Sequence, residues 1–177
     1  MIIAREKRKN NIAEYVLYIW QIEDLIRANR FDLDQIDRTI IQEFDQPEEI
    51  KQEMRDWYKD LIERMENEGI KEKGHLQFVS DIVEEMDNLH EMLIHDPDEL
   101  EYVQAYNQAK QSINDLKSKS QGTASGDIEA ALQGLYGILM LRLKNKSLNP
   151  ATQDAQKAIS KLIALLNEKY MARKGSV

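Results

Sequence analysis

Apolar residues recur every three or four positions along nearly the whole chain and nowhere alternate with period two over a useful length, which predicts helices and no sheet. Ile12, Tyr15, Ile19, Ile22 and Ile26 form one stripe; a short segment, Asp32 to Phe44, carries Leu33, Ile36, Ile40 and Phe44. Further stripes follow in Ile50, Met54, Trp57, Leu61 and Met65, then in Val79, Val83, Met86 and Leu93. Leu100, Val103, Ala109, Ile113 and Leu116 mark the next helix, and Ala155, Ile159, Leu162, Leu166 and Tyr170 the last. Between these two, Asp127 to Leu148 is apolar on nearly every side, as a central helix would be. Pro47, Pro97 and Pro150 each stand where a helix would begin, since a missing N–H is harmless there. The Ser/Gly-rich stretch Ser118 to Gly126 reads as a mobile linker.

The expectation is an all-α, single-domain bundle spanning 1–177, built of about six mostly antiparallel helices with a tight C-terminal helical hairpin. The basic ends, residues 1–10 and 172–177, are expected to be loose. In the central helix Ala130, Gly134 and Gly137 share one side, where the final helix is expected to approach closely.

Composition narrows the chemistry. The 177 residues include no cysteine, which excludes disulfides, thiolate zinc sites and cysteine nucleophiles. Three prolines and seven glycines are too few for a sandwich or barrel. The net charge of −8 argues against nucleic acid as a partner. Its distribution says more: Gly74 to Ala109 holds nine acids and no lysine or arginine, whereas both ends are basic. Such a window reads as a solvated face, or as one that docks on a basic end of the same chain, a second subunit or another protein. The most apolar stretch, Ala130 to Leu143, spans 14 residues and contains Gln133 and Arg142, short of the ~20 a bilayer needs. With no signal-peptide pattern after the basic start, the expectation is a cytoplasmic protein without a membrane partner.

The opening, MIIAREKRKNNIAEYVLYIWQIEDLIRA, is similar to the start of a bacterial all-helical family known only as a domain of unknown function. Tyr15, Tyr18, the Trp20-Gln21 pair and Glu23-Asp24 carry the likeness. It implies a helical bacterial protein and brings no activity, ligand, cofactor or site residue.

Candidate sites are few. Glu84, Asp87, Glu91 and His95 share one helical face at spacings of three and four, a geometry that a metal could use; di-iron bundles, however, rely on Glu-x-x-His pairs that this chain lacks. His90 falls on the apolar side of the same helix, as a hydrogen-bonded core histidine would. Glu63-x-x-Glu66 followed by Glu84-x-x-Asp87 is similar to the magnesium-binding acids of all-helical nucleotide pyrophosphohydrolases, but Glu63 and Glu66 point away from their helix's apolar stripe. Gly122 to Gly126 precedes a helix start, yet Asp127 at its mouth would repel a phosphate, so Ser125 or Asp127 is expected to cap the helix. Glu23 projects beside the first apolar stripe, with Arg27 one turn on as its expected partner and Arg142 as another.

Leu17 and Trp20 project from a second side of the first helix, which something must cover. Either the segment Phe31 to Phe44 folds back over it, or the same helix of another subunit does. These observations lean against an enzyme and toward a helical-bundle protein that acts through protein–protein contact, as a homodimer or with another protein, and implies no cofactor. The competing reading is a metal- or small-ligand-binding bundle that uses acids and histidines between helices.

Overall fold

Each apolar stripe becomes a helix in the computed structural model, which describes residues 2–119 and 124–174. The protein is all-α. Eight α-helices occur among the described residues: α1 (Ile2–Asn10), α2 (Ile12–Ala28), α3 (Leu33–Ile36), α4 (Glu48–Asn67), α5 (Gln77–Ile94), α6 (Leu100–Lys119), α7 (Asp127–Leu143) and α8 (Pro150–Lys174). A π-helical turn, Asp37–Ile41, continues α3. The helices gather into two compact units. One comprises the described parts of Met1–Asn10 and Glu14–Asp81, the other those of Asn11–Ala13 and Ile82–Val177.

In the first unit the stripe of α2 is buried at Tyr15, Ile19, Ile22 and Ile26, and that of α4 at Met54, Leu61 and Met65. Tyr58 and Ile62 of α4 are buried too, which widens its apolar face. The basic segment 1–10, expected to be loose, is helical over Ile2–Asn10 and buries Ala4. Two helices of this unit end on the same device. Ile70 N–H reaches the carbonyl of Met65 and Gly69 N–H that of Glu66, with Gly69 at φ 71°, a Schellman close to α4. Arg30 closes α2 in the same way, at φ 56°.

In the second unit α6, α7 and α8 pack on one another. α6 and α8 are antiparallel: Lys169 near the end of α8 meets Glu99 just before α6, while Ala151 and Ala155 at the start of α8 share a cleft with Ser112 and Leu116 near the end of α6. α8 is helical as far as Lys174, so the helix covers the first three residues of the segment 172–177 that the sequence leaves loose. Residues 120–123 of the expected linker lie outside the described residues.

Several boundaries differ from the sequence reading. α6 begins at Leu100 and not at Pro97, because Asp96 Oδ1 accepts the N–H of Asp98 and the residues between form a turn. The buried stripe of α6 is Tyr102, Ala105, Ala109 and Ile113, which leaves Leu100 exposed instead of in the core. α7 stops at Leu143, five residues early, where Asn145 at φ 54° places its N–H on Arg142 and that of Lys146 on Leu141 in another Schellman close. The expected small-residue contact with the final helix is also revised. A Cβ at Gly134 would lie 2.6 Å from Leu116 of α6, whereas one at Gly137 would meet nothing within 4 Å.

Candidate functional site

The first polar cluster grows from Glu23 on α2. Its side chain is fully buried, and its carboxylate accepts the N–H of Leu76 at 2.9 Å and bonds His75 Nδ1 at 2.6 Å. Leu76 stands just before α5, so Glu23 satisfies one of the orphan donors of a helix start. The expected partner Arg27 is engaged elsewhere. Its guanidinium donates to Asp24 and to the carbonyls of Ile70 and Gly74, strapping the loop between α4 and α5. Arg142 donates to Gln156. Proximity along the helix favours Arg27, but the loop carbonyls compete for the same donors.

Trp20 lies 2% exposed with its indole stacked on His75, ring centroids 4.4 Å apart, and Leu17 is half-buried. The cover over Trp20 therefore includes His75, which neither of the two expected covers contains. Phe44 instead lines a small apolar cleft of about 130 Å³ with Ile2, Ile3, Ile50 and Met54.

The second cluster lies among α5, α6 and α7. Asp87 of α5 accepts the N–H groups of Ile128 at 2.9 Å and Glu129 at 3.3 Å, and so caps α7 from another helix. Gly126, the residue before α7, makes this possible: a Cβ there would overlap the Asp87 carboxylate. Asp127 turns to α6, accepting from Tyr106 Oη and Lys117 Nζ at 2.7 Å each. Ser125 donates through N–H and hydroxyl to Glu129. Capping by Ser125 or Asp127 is thus replaced by capping from Asp87, because Lys117 draws the Asp127 carboxylate away from the helix start.

His90 is fully buried, as its apolar side of α5 requires, with Nδ1 2.8 Å from Tyr102 Oη and its ring edge-on to Tyr106. Burial lowers its pKa and raises that of Asp87. Asp127 is also disfavoured by burial, yet the ammonium of Lys117 and the hydroxyl of Tyr106 hold its carboxyl below the usual range. Burial therefore prevails at Asp87, against its two N–H donors, whereas the partners prevail at Asp127.

The four metal candidates do not converge. Asp87 is committed to α7, His95 Nδ1 sits against the carbonyl of Glu91, and Glu84 and Glu91 face solvent. Among the described residues no group of three or more His, Asp or Glu is placed to hold a metal ion. No helix among them is long and apolar enough to cross a membrane.

Charge and exposed apolar surface coincide at two turns of the second unit. At the α5–α6 turn, Met92 and Leu100 are 52% and 67% exposed among Glu91, Asp96, Asp98 and Glu101. Part of this acidic surface is met within the chain, where Lys169 pairs with Glu99, and both Lys174 and the hydroxyl of Tyr170 reach Glu85. At the α7–α8 turn, Leu141 and Leu143 are 37% and 65% exposed beside Arg142, Lys144 and Lys146. Tyr136, Leu139 and Met140 are half-buried and, with Leu143, repeat the i, i+3, i+4, i+7 pattern of a contact stripe. The sequence gives part of this signal: a helix apolar nearly all round is hard to cover completely.

Neither a search of curated proteins nor one of solved structures gave a match. A family model does match, over residues 1–176, the one described as Domain of unknown function (DUF4924). The chain belongs to that family.

Proposed function

We propose that this protein acts through protein–protein contact and that its first partner is a second copy of itself. The observation that carries the reading is Leu143, exposed at the α7–α8 turn and in line with the half-buried Tyr136, Leu139 and Met140, with Leu141 exposed on another side of the same helix. Large side chains left exposed in series on one helix mark a surface that another molecule covers. A homo-oligomer in a bacterial cytoplasm fits the N-terminal family likeness and the amphipathic first helix. The test is sedimentation velocity from low to high micromolar concentration, on the unaltered chain and on Leu143→Glu. The reading expects a species that grows with concentration and is weakened by the substitution; a monomer throughout contradicts it.

A second reading has one observation in its favour. A cleft of about 490 Å³ opens among α6, α7 and α8, with Leu116, Ile138 and Ile159 as its apolar lining and Asp115, Thr152 and Asn149 as polar groups. Its volume suits a small molecule. A thermal-shift screen of small polar metabolites tests it, because a bound ligand raises the melting temperature.

A further inference from the structure

The two turns of the second unit are complementary in charge and alike in bearing exposed apolar side chains. The α7–α8 turn carries a cleft of about 540 Å³ lined by Arg142, Lys146, Lys157, Ser147, Ser160 and neighbours, where Asp154 stands 3.5 Å from Lys157 and no carboxylate residue lines the cleft itself. Arg142 is steadied there by Gln156, and the turn is fixed by the Schellman close at Asn145. A cationic cleft with hydroxyl groups and an adjacent leucine pair suits an acidic, partly apolar protein segment. The chain contains such a segment: Asp96 and Asp98 in a tight turn, flanked by exposed Leu100 and Met92.

The two surfaces cannot meet within one copy of the unit. Because α6 and α8 are antiparallel, Glu99 lies at the Lys169 end of the pair and the α7–α8 turn at the other. The twenty residues of α6 separate the ends by about 30 Å. A two-fold pairing of either turn with itself would set like charges together. Pairing one turn with the other satisfies both. The contact of Lys169 and Lys174 with Glu99 and Glu85 shows the same acidic helices accepting a basic helix end inside the chain.

We propose that copies of this chain associate head to tail, the acidic α5–α6 turn of one copy seated against the cationic α7–α8 turn of the next. The inference rests on the self-association reading and makes it specific. Set end to end, such a contact is heterologous and closes a ring or extends a filament; set side by side, two copies return it to one another and stop at a dimer.

Two variants test it. Asp96→Asn with Asp98→Asn and Leu100→Ser silences the acidic turn; Leu143→Ser with Lys146→Gln and Lys157→Gln silences the cationic one. All six positions are exposed, and circular dichroism checks that each variant stays folded. The unaltered chain is expected to sediment as associated species, and each variant alone as a monomer. An equimolar mixture should form a one-to-one dimer that grows no further, since each partner keeps one competent end. If the unaltered chain associates and both variants associate equally well, the head-to-tail contact is wrong while self-association stands. A monomeric unaltered chain removes both. Should a variant not fold, salt decides on the unaltered protein: association that does not weaken from low to high ionic strength overturns the proposal.

Discussion

Gly126→Ala adds one methyl group where the Asp87 carboxylate now sits. The backbone there is extended, at φ −136° and ψ 179°, so alanine meets no conformational strain. The cost comes from displacement. Asp87 must withdraw from Ile128 and Glu129, and α7 loses two charge-assisted bonds at its start. Loss of a helix cap costs up to about 2 kcal/mol, which in a chain of this size corresponds to roughly 4–8 °C in melting temperature. Gly137→Ala is the control on the same helix. Its Cβ meets nothing within 4 Å, so the gain in helix propensity, about 1 kcal/mol, should raise the melting temperature by roughly 2–4 °C. Both are measured by circular dichroism on heating, with Asp87→Ala as a third variant that should match Gly126→Ala. A Gly126→Ala protein at least as stable as the unaltered chain would refute the capping role of Asp87.

His90, neutral and buried between Tyr102 and Tyr106, gives a pH prediction. Its pKa is lowered on folding by burial, with Asp127, Glu91, His95 and Lys117 as the charges around it, so the unfolded chain binds the proton more readily. Stability should therefore fall as pH drops below about 6.5, and His90→Gln should flatten that slope in urea titrations; an unchanged slope contradicts the assignment. Asp127 acts lower on the scale. Its lowered pKa contributes stability above about pH 4 that is lost as pH falls through its folded value, so Lys117→Met should make acid unfolding begin at higher pH. Glu23→Ala leaves the Leu76 N–H and His75 without their buried acceptor and should lower the urea midpoint by an amount equivalent to about 3 kcal/mol. Arg27→Ala would do the same if Arg27 were Glu23's partner, but through exposed Asp24 and the loop carbonyls its effect should be smaller.

Period and burial were legible in the sequence; partners were not. The stripe of α2 and the apolar side of α5, including His90, follow from spacing alone because a helix faces its core every three or four residues. Glu23 is recognisable as a buried acid by its place beside that stripe. Its partner His75, 52 positions away, is set by where the start of α5 comes to rest, and no local rule reaches that far. Asp87 illustrates the same limit. On its own helix it belongs to a row of acids that a metal could use, and only the arrival of Ile128 from 41 residues on turns it into a cap. Gly134 and Gly137 look equivalent along the helix, but Leu116 approaches one and solvent the other. Pro97 marks a turn and not a helix start because Asp96 captures the N–H of Asp98.

Self-association through the two charged turns is tested most directly by carbodiimide crosslinking of an equal mixture of ¹⁵N-labelled and unlabelled chains. This reagent joins a carboxylate to an amine only where they touch. Mass spectrometry then separates links within one chain from links between chains by their isotopic composition. The account predicts mixed-isotope links from Lys146 or Lys157 to Asp96, Asp98 or Glu101, beside same-chain links of Lys169 to Glu99. Mixed-isotope links confined to other surfaces, or same-chain links alone, would contradict it.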